Sequence, residues 1–143
     1  MKNLSRYAKM TRVSNAVPAG QTSITTTSID TTSHESAQFV VLFGAISPGA
    51  ATSVVAQGSS DNQSFEDLDG TVATVAETAG NQAYIVDIGH SRHRYLRCVI
   101  NRGGANAVVD GVIAQQYMAQ VEPVVHDEAT IYGSDFHHAP ASV

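Results

Sequence analysis

The alternation of apolar and polar positions sets out the elements of this chain before any single residue suggests chemistry. The clearest run is 36–46, where Phe39, Val41 and Phe43 alternate with Val40 and Leu42. A period of two sends successive side chains to opposite faces of a strand. Both faces of this run are apolar, so it is expected in the middle of a sheet with both sides covered. Ser47-Pro48-Gly49 turns the chain, and 51–57 returns as a strand. Residues 71–77 alternate Val72 and Val75 imperfectly, and 84–88 alternate Tyr84, Val86 and Ile88 with Ile85 and Asp87. In 94–101, Leu96, Cys98 and Ile100 share the inward face. Gly103-Gly104-Ala105-Asn106 is a turn, and 107–117 closes the series with Val109, Val112, Ile113 and Tyr117. Upstream, the β-branched residues of 22–29 predict the first strand.

Seven or eight strands at short intervals, without helical periodicity, predict an all-β domain over 22–121, a β-sandwich or jelly roll. Extended arms flank it. In 1–21, Leu4, Tyr7, Ala8 and Thr11 would share one face of a short helix, and Ala16-Val17-Pro18-Ala19-Gly20 ends the segment. A helix this short is marginal alone, so the arm is expected to order only against a partner. Residues 122–143 lose periodicity and gather His, Pro, Asp and Ser, and read as a second arm.

Charge sharpens this division. The chain has 143 residues, enough for one self-sufficient core, and a net charge of -5. Lys2, Arg6, Lys9 and Arg12 supply four of its eight basic residues, while all thirteen acids lie beyond residue 12. A basic arm on an acidic body points to an acidic partner for the arm, the alternative being a solvated tail. The acidic body is not expected to hold nucleic acid. Trp is absent and aromatics are 6%, so no broad platform for stacking bases or sugars is available. Cys98 is the single cysteine, which excludes an intrachain disulfide and reads as a small buried hydrophobe. The basic start is not followed by the apolar stretch of a signal peptide, and no window is apolar enough for a membrane helix. The expectation is a soluble protein made in a reducing compartment, without membrane contact.

Motifs that carry reactions are missing. Gly58-Ser59-Ser60 is not a nucleophile elbow, and there is no Walker loop, H-E-x-x-H or G-x-G-x-x-G. No enzyme activity and no cofactor are expected. His126, Asp127, Glu128, His137 and His138 have no structural zinc spacing and read as solvated arm residues. The acids Asp61, Glu66, Asp67 and Asp69 crowd one loop, but without the ligand spacing or glycine of a calcium loop. Arg92, Arg94, Arg97 and Arg102 read as a polar surface cluster. Arg97 points outward, either to a partner carboxylate or to the acids of the 61–69 loop.

Several short motifs carry a family resemblance. Asn3-Leu4-Ser5-Arg6-Tyr7, Gln57-Gly58-Ser59-Ser60-Asp61, Asp67-Leu68-Asp69-Gly70-Thr71 and Arg94-Tyr95-Leu96-Arg97, with the ending 126–138, resemble the head decoration, or cement, proteins of tailed bacteriophages. The resemblance implies a β-sandwich without catalytic residues, made in the host cytoplasm. It would sit on the outer face of an icosahedral head and clamp neighbouring major capsid proteins. The implied partners are the major capsid protein and other copies of itself, as a dimer or trimer. The expected contact residues are Lys2, Leu4, Arg6, Tyr7, Lys9, Arg12, Arg97, Val124 and Ile131. The stretch 57–65 with Arg94-Tyr95-Leu96-Arg97 is also similar to jelly-roll carbohydrate-binding and discoidin-like modules, which implies the alternative of surface attachment through sugars. Those modules place exposed aromatics in their loops, where this chain offers only Phe65.

Overall fold

The structure, a computed structural model, describes residues 3–139. One helical turn, α1 (Leu4–Tyr7), precedes β1 (Lys9–Ser14), β2 (Val17–Gly20), β3 (Ile24–Thr25), β4 (Ile29–Asp30), β5 (His34–Ile46) and β6 (Ala51–Ser59). The chain continues through β7 (Glu66–Asp67), β8 (Ala73–Val75), β9 (Ala83–Ile88), β10 (Tyr95–Gly103) and β11 (Ala107–Ala119). One sheet has the order β1-β11-β5-β9, with β2 also on β11. The other has β3-β10-β6-β7, with β4 also on β10 and β8 also on β6. All pairings are antiparallel.

The short strands are interrupted edges. β1 and β2 follow one another along β11, β3 and β4 along β10, and β7 and β8 along β6. The strands therefore occupy eight lanes. Numbered along the chain, the lanes run 1-8-3-6 in the first sheet and 2-7-4-5 in the second. Each lane pairs with its mirror image about the loop that follows β6. One long hairpin rolled into two packed sheets gives this order, which makes the sandwich a jelly roll. The turn between β10 and β11 depends on Gly104, at φ +72°, where a Cβ would sit 2.6 Å from the Gly49 carbonyl oxygen.

The core lies between the sheets. Phe39, Val41, Phe43, Val109 and Val112 from the first meet Val54, Ala56, Leu96, Cys98 and Ile100 from the second. Cys98 is fully buried with Leu96 and Ile100, as the alternation in 94–101 predicts. Burying each large aliphatic or aromatic side chain contributes roughly 1.5–3 kcal/mol.

Three expectations change. β5 does lie inside its sheet, between β11 and β9, but only one of its faces is covered, and Leu42 is 41% exposed. The described residues supply two layers, and neither packs on the second apolar face of β5. The strand expected over 22–29 pairs only at β3 and β4. Between them Thr26 keeps the ladder partly with its side chain, its Oγ1 accepting from the Cys98 N–H at 2.9 Å. Thr27 then leaves the edge, and its N–H donates to Val13 O, in the other sheet, at 2.9 Å.

The third change concerns the arms. Residues 9–20 of the expected N-terminal arm are part of the sandwich, from Lys9 opposite Gln116 to Gly20 opposite Ala107. The outer edge of β11 presents backbone groups that need partners, and these residues supply them. The sequence hid this because β1 buries little besides Val13.

Candidate binding surface

β1 is an edge strand, and its outward backbone groups would stay open if nothing crossed them. The C-terminal segment crosses them. The Val124 N–H donates to Arg6 O at 2.8 Å and the Asp127 N–H to Met10 O at 3.2 Å. Side chains take the alternate positions: the Met10 N–H donates to His126 Nδ1 at 2.9 Å, and the Arg12 N–H to Thr130 Oγ1 at 3.0 Å. Thr130 Oγ1 in turn donates to Asp127 Oδ2 at 2.7 Å. His126 Nε2 lies 2.8 Å from Ser5 O. An amide N–H only donates and a carbonyl only accepts, so the ring bridges as a neutral imidazole protonated on Nε2. His126 is thus a clasp between the two ends, which corrects its reading as a solvated arm residue. Its role had no signal in the sequence, because it depends on tertiary pairing alone.

This strap gathers most of the expected contact residues at one edge. Leu4 is 71% exposed, Arg6 and Arg12 are exposed, and Tyr7, Lys9, Val124 and Ile131 are half-buried. Lys2 lies outside the described residues. Arg97 is elsewhere, on the outer face of the second sheet. Between β1 and the β3–β4 edge runs an open groove of about 620 Å³, with Lys9, Thr11, Thr25, Asp30 and Gln116 on its walls. Gln116 is buried at its base, and its Nε2 donates to Asp30 O at 2.8 Å, joining the two sheets. Beyond Ile131 the described chain stays outside the sandwich, with Tyr132 fully exposed.

Three of the four clustered arginines have different surroundings. Arg94 pairs with Asp30, Nη2 to Oδ2 at 3.0 Å, and not with the acidic loop. That hydrogen bond leads the causes that hold the Asp30 carboxyl at about 2. Arg97 points outward as expected, but its guanidinium lies 3.8 Å from the centre of the Phe65 ring, and its Nε donates to Gln57 Oε1 at 2.8 Å. Arg102 does not belong to a polar surface at all. It is 7% exposed and donates to three backbone carbonyls: Thr22 O at 2.7 Å, Pro18 O at 2.9 Å and Ala107 O at 2.6 Å. The signal was present, since Arg102 continues the inward phase of Leu96, Cys98 and Ile100. An unpaired cation is seldom placed in a core, but the carbonyls of β2, the 21–23 connection and β11 satisfy this one.

Within the acidic loop, Asp61 closes a local turn. Asp61 Oδ1 accepts from the N–H groups of Gln63 and Ser64 and from Ser59 Oγ, each at 2.9 Å. These bonds, led by the one from Ser64, hold the Asp61 carboxyl at about 2. Among the described residues no three His, Cys, Asp or Glu side chains converge as metal ligands, and His137 and His138 are exposed.

Fold and surface together define an eight-lane antiparallel jelly roll whose two ends are clasped along one sheet edge. No family model matches the chain, and no curated protein matches it in sequence. Among solved structures it is similar to a chain in the crystal structure of the T13 IBDV viral particle, with a TM-score of 0.47 and 10% identity. The match covers 79% of this chain and 32% of that one, so this chain spans about a third of its length.

Proposed function

We propose that this chain is a structural virion protein that binds the outer surface of an icosahedral phage capsid and clamps neighbouring major capsid proteins. The observation that carries this reading is the clasped edge. There the C-terminal segment runs parallel to the basic N-terminal segment along the edge of the jelly roll, from Arg6 beside Val124 to Arg12 beside Thr130. Arg6 and Arg12 have no carboxylate partner among the described residues, which suits them to an acidic partner. Jelly rolls serve as capsid domains, though fold alone does not assign function.

The mechanism needs no chemistry. A protein that binds only the assembled shell stabilises it by mass action. Weak contacts repeated over a lattice gain avidity from their common support. The protein is made in the host cytoplasm and resides on the outer capsid surface, touching the major capsid protein and other copies of itself but neither nucleic acid nor membrane. Jelly rolls also serve as lectins, but here the loop aromatic Phe65 is covered by Arg97, which weighs against a sugar platform.

Co-sedimentation with heads lacking the protein tests the reading. Stoichiometric binding is expected, weakened by salt and by Arg6→Glu, because exposed ion pairs are screened within about 8–10 Å at ordinary ionic strength. Absence of binding to heads, together with binding to a glycan array, would reject it in favour of sugar attachment.

A further inference from the structure

The two outer faces of the jelly roll differ. On the second sheet, polar side chains finish the surface: Arg97 bonds to Gln57, Gln57 to Asp67, and Asn101 to Ser23 and Ser53. On the first sheet an aliphatic row crosses the strands in register. Arg12 on β1 lies opposite Ile113 on β11, Ile113 opposite Val40 on β5, and Val40 opposite Ile85 on β9. Leu42 adjoins the row, between Gly111 and Ala83. Ile85 is 54% and Leu42 41% exposed. A contiguous aliphatic patch inside a polar rim marks a contact surface.

We propose that this face is a self-complementary contact surface for a second copy of the chain. Its charges are arranged for that partner. Arg12 stands at the β1 end of the aliphatic row without a carboxylate partner among the described residues. Asp87 stands at the β9 end, one position further along its face than Ile85. Its Oδ1 accepts from the Tyr117 hydroxyl at 2.5 Å, which leaves its second oxygen for another donor. A two-fold axis lying in the contact plane and parallel to the strands exchanges the β1 and β9 sides. Each Arg12 then reaches the Ile85 and Asp87 of the other copy, while Val40 and Ile113 meet near the axis. An axis across the strands through this row would oppose Arg12 to Arg12.

Strand spacing sets the strength. Four lanes at about 4.8 Å and about eight residues at 3.4 Å give a face of roughly 500 Å² per copy. A standard stable interface buries about 800 Å² per partner, so this contact belongs to the weak class. It would fill where copies are already held close together.

Sedimentation equilibrium of the full chain, from about 10 µM to about 1 mM, spans the range a contact of this size requires. The expected result is a concentration-dependent dimer. Ile85→Lys should abolish it without changing the melting temperature. Arg12→Asp and Asp87→Arg should each weaken it about fivefold or more, and the two together should restore it. A monomer at every concentration would overturn the proposal. So would a dimer indifferent to Ile85→Lys, or a double variant no better than the single ones. The measurement contains no capsid, so its outcome is separate from that of the capsid reading.

Discussion

Arg102→Met keeps a long apolar stem in the core and removes the fork of donors that ties β10 to three other stretches of backbone. Of the three carbonyls it satisfies, Thr22 O and Pro18 O belong to exposed residues and can turn to water. Ala107 O, bonded at 2.6 Å, is buried with the guanidinium. Each buried acceptor left unpaired costs about 1–3 kcal/mol. The lost bonds to the two exposed carbonyls add to this and relief from holding a cation in the interior offsets it, so the expected net loss is about 1–3 kcal/mol. A domain of this kind has about 5–15 kcal/mol in total, so the variant should fold but unfold at clearly lower denaturant. Arg102→Lys, which keeps the charge but replaces the planar fork with one ammonium, should lose about 1–2 kcal/mol. Urea unfolding followed by circular dichroism measures both, and an unchanged m-value would show that unfolding starts from the same fold. If Arg102→Met stays within about 0.5 kcal/mol of the parent, these carbonyls find water on their own and the staple argument fails.

Acid should weaken the domain through Asp30 and Asp61, both held at about 2 instead of 3.8. Their folded pKa lies below the unfolded one, so the contribution is complete above about pH 4 and lost as pH falls through 2. The urea midpoint should fall across that window, and less steeply in Asp30→Asn. The Cys98 thiol, pushed up to about 12 by burial, should resist iodoacetamide in the native protein and react in urea, which mass spectrometry reads directly. His126→Ala should open the clasp. Protease cleavage between residues 120 and 131 and amide exchange at Met10 should rise while the melting temperature drops only about 2–4 °C, and an unchanged cleavage pattern would mean that the backbone bonds of Val124 and Asp127 suffice to hold the strap.

The central strands were legible because their apolar alternation is strong. β5, β10 and β11 fall close to where Phe39, Leu96 and Val109 place them, and the inward phase that located Cys98 also pointed to Arg102. The edges were not legible. β1 and β2 form because β11 needs a hydrogen-bonding partner, a requirement written in another part of the chain, and their own residues bury little apart from Val13. The same holds for the site. Charge alone singled out Arg6 and Arg12, whereas the His126 clasp joins residues 121 apart in sequence. Val40 and Leu42 were visible as surplus apolar residues of the 36–46 run, and the sequence reading assigned that surplus to a covering layer which the described residues do not supply.

The mirrored pairing also sets an order of events at the ribosome. Lane 1 waits for lane 8, lane 2 for lane 7 and lane 3 for lane 6, so the strands made first are completed last. Lys9 has no strand partner until Gln116 has been synthesised, and Phe39 none until Val86. Only β6 with β7 and β8, at the middle of the hairpin, can pair soon after it emerges. Such a chain collects its native contacts late and over long loops, a topology that folds slowly. While it waits, the aliphatic β5 segment is exposed with its edges unpaired, which is the condition that invites aggregation. A ribosome stalled before β10 would therefore hold two sheets that each lack one lane of four, with lanes 1 and 2 unpaired, and the jelly roll can close only once β11 is free.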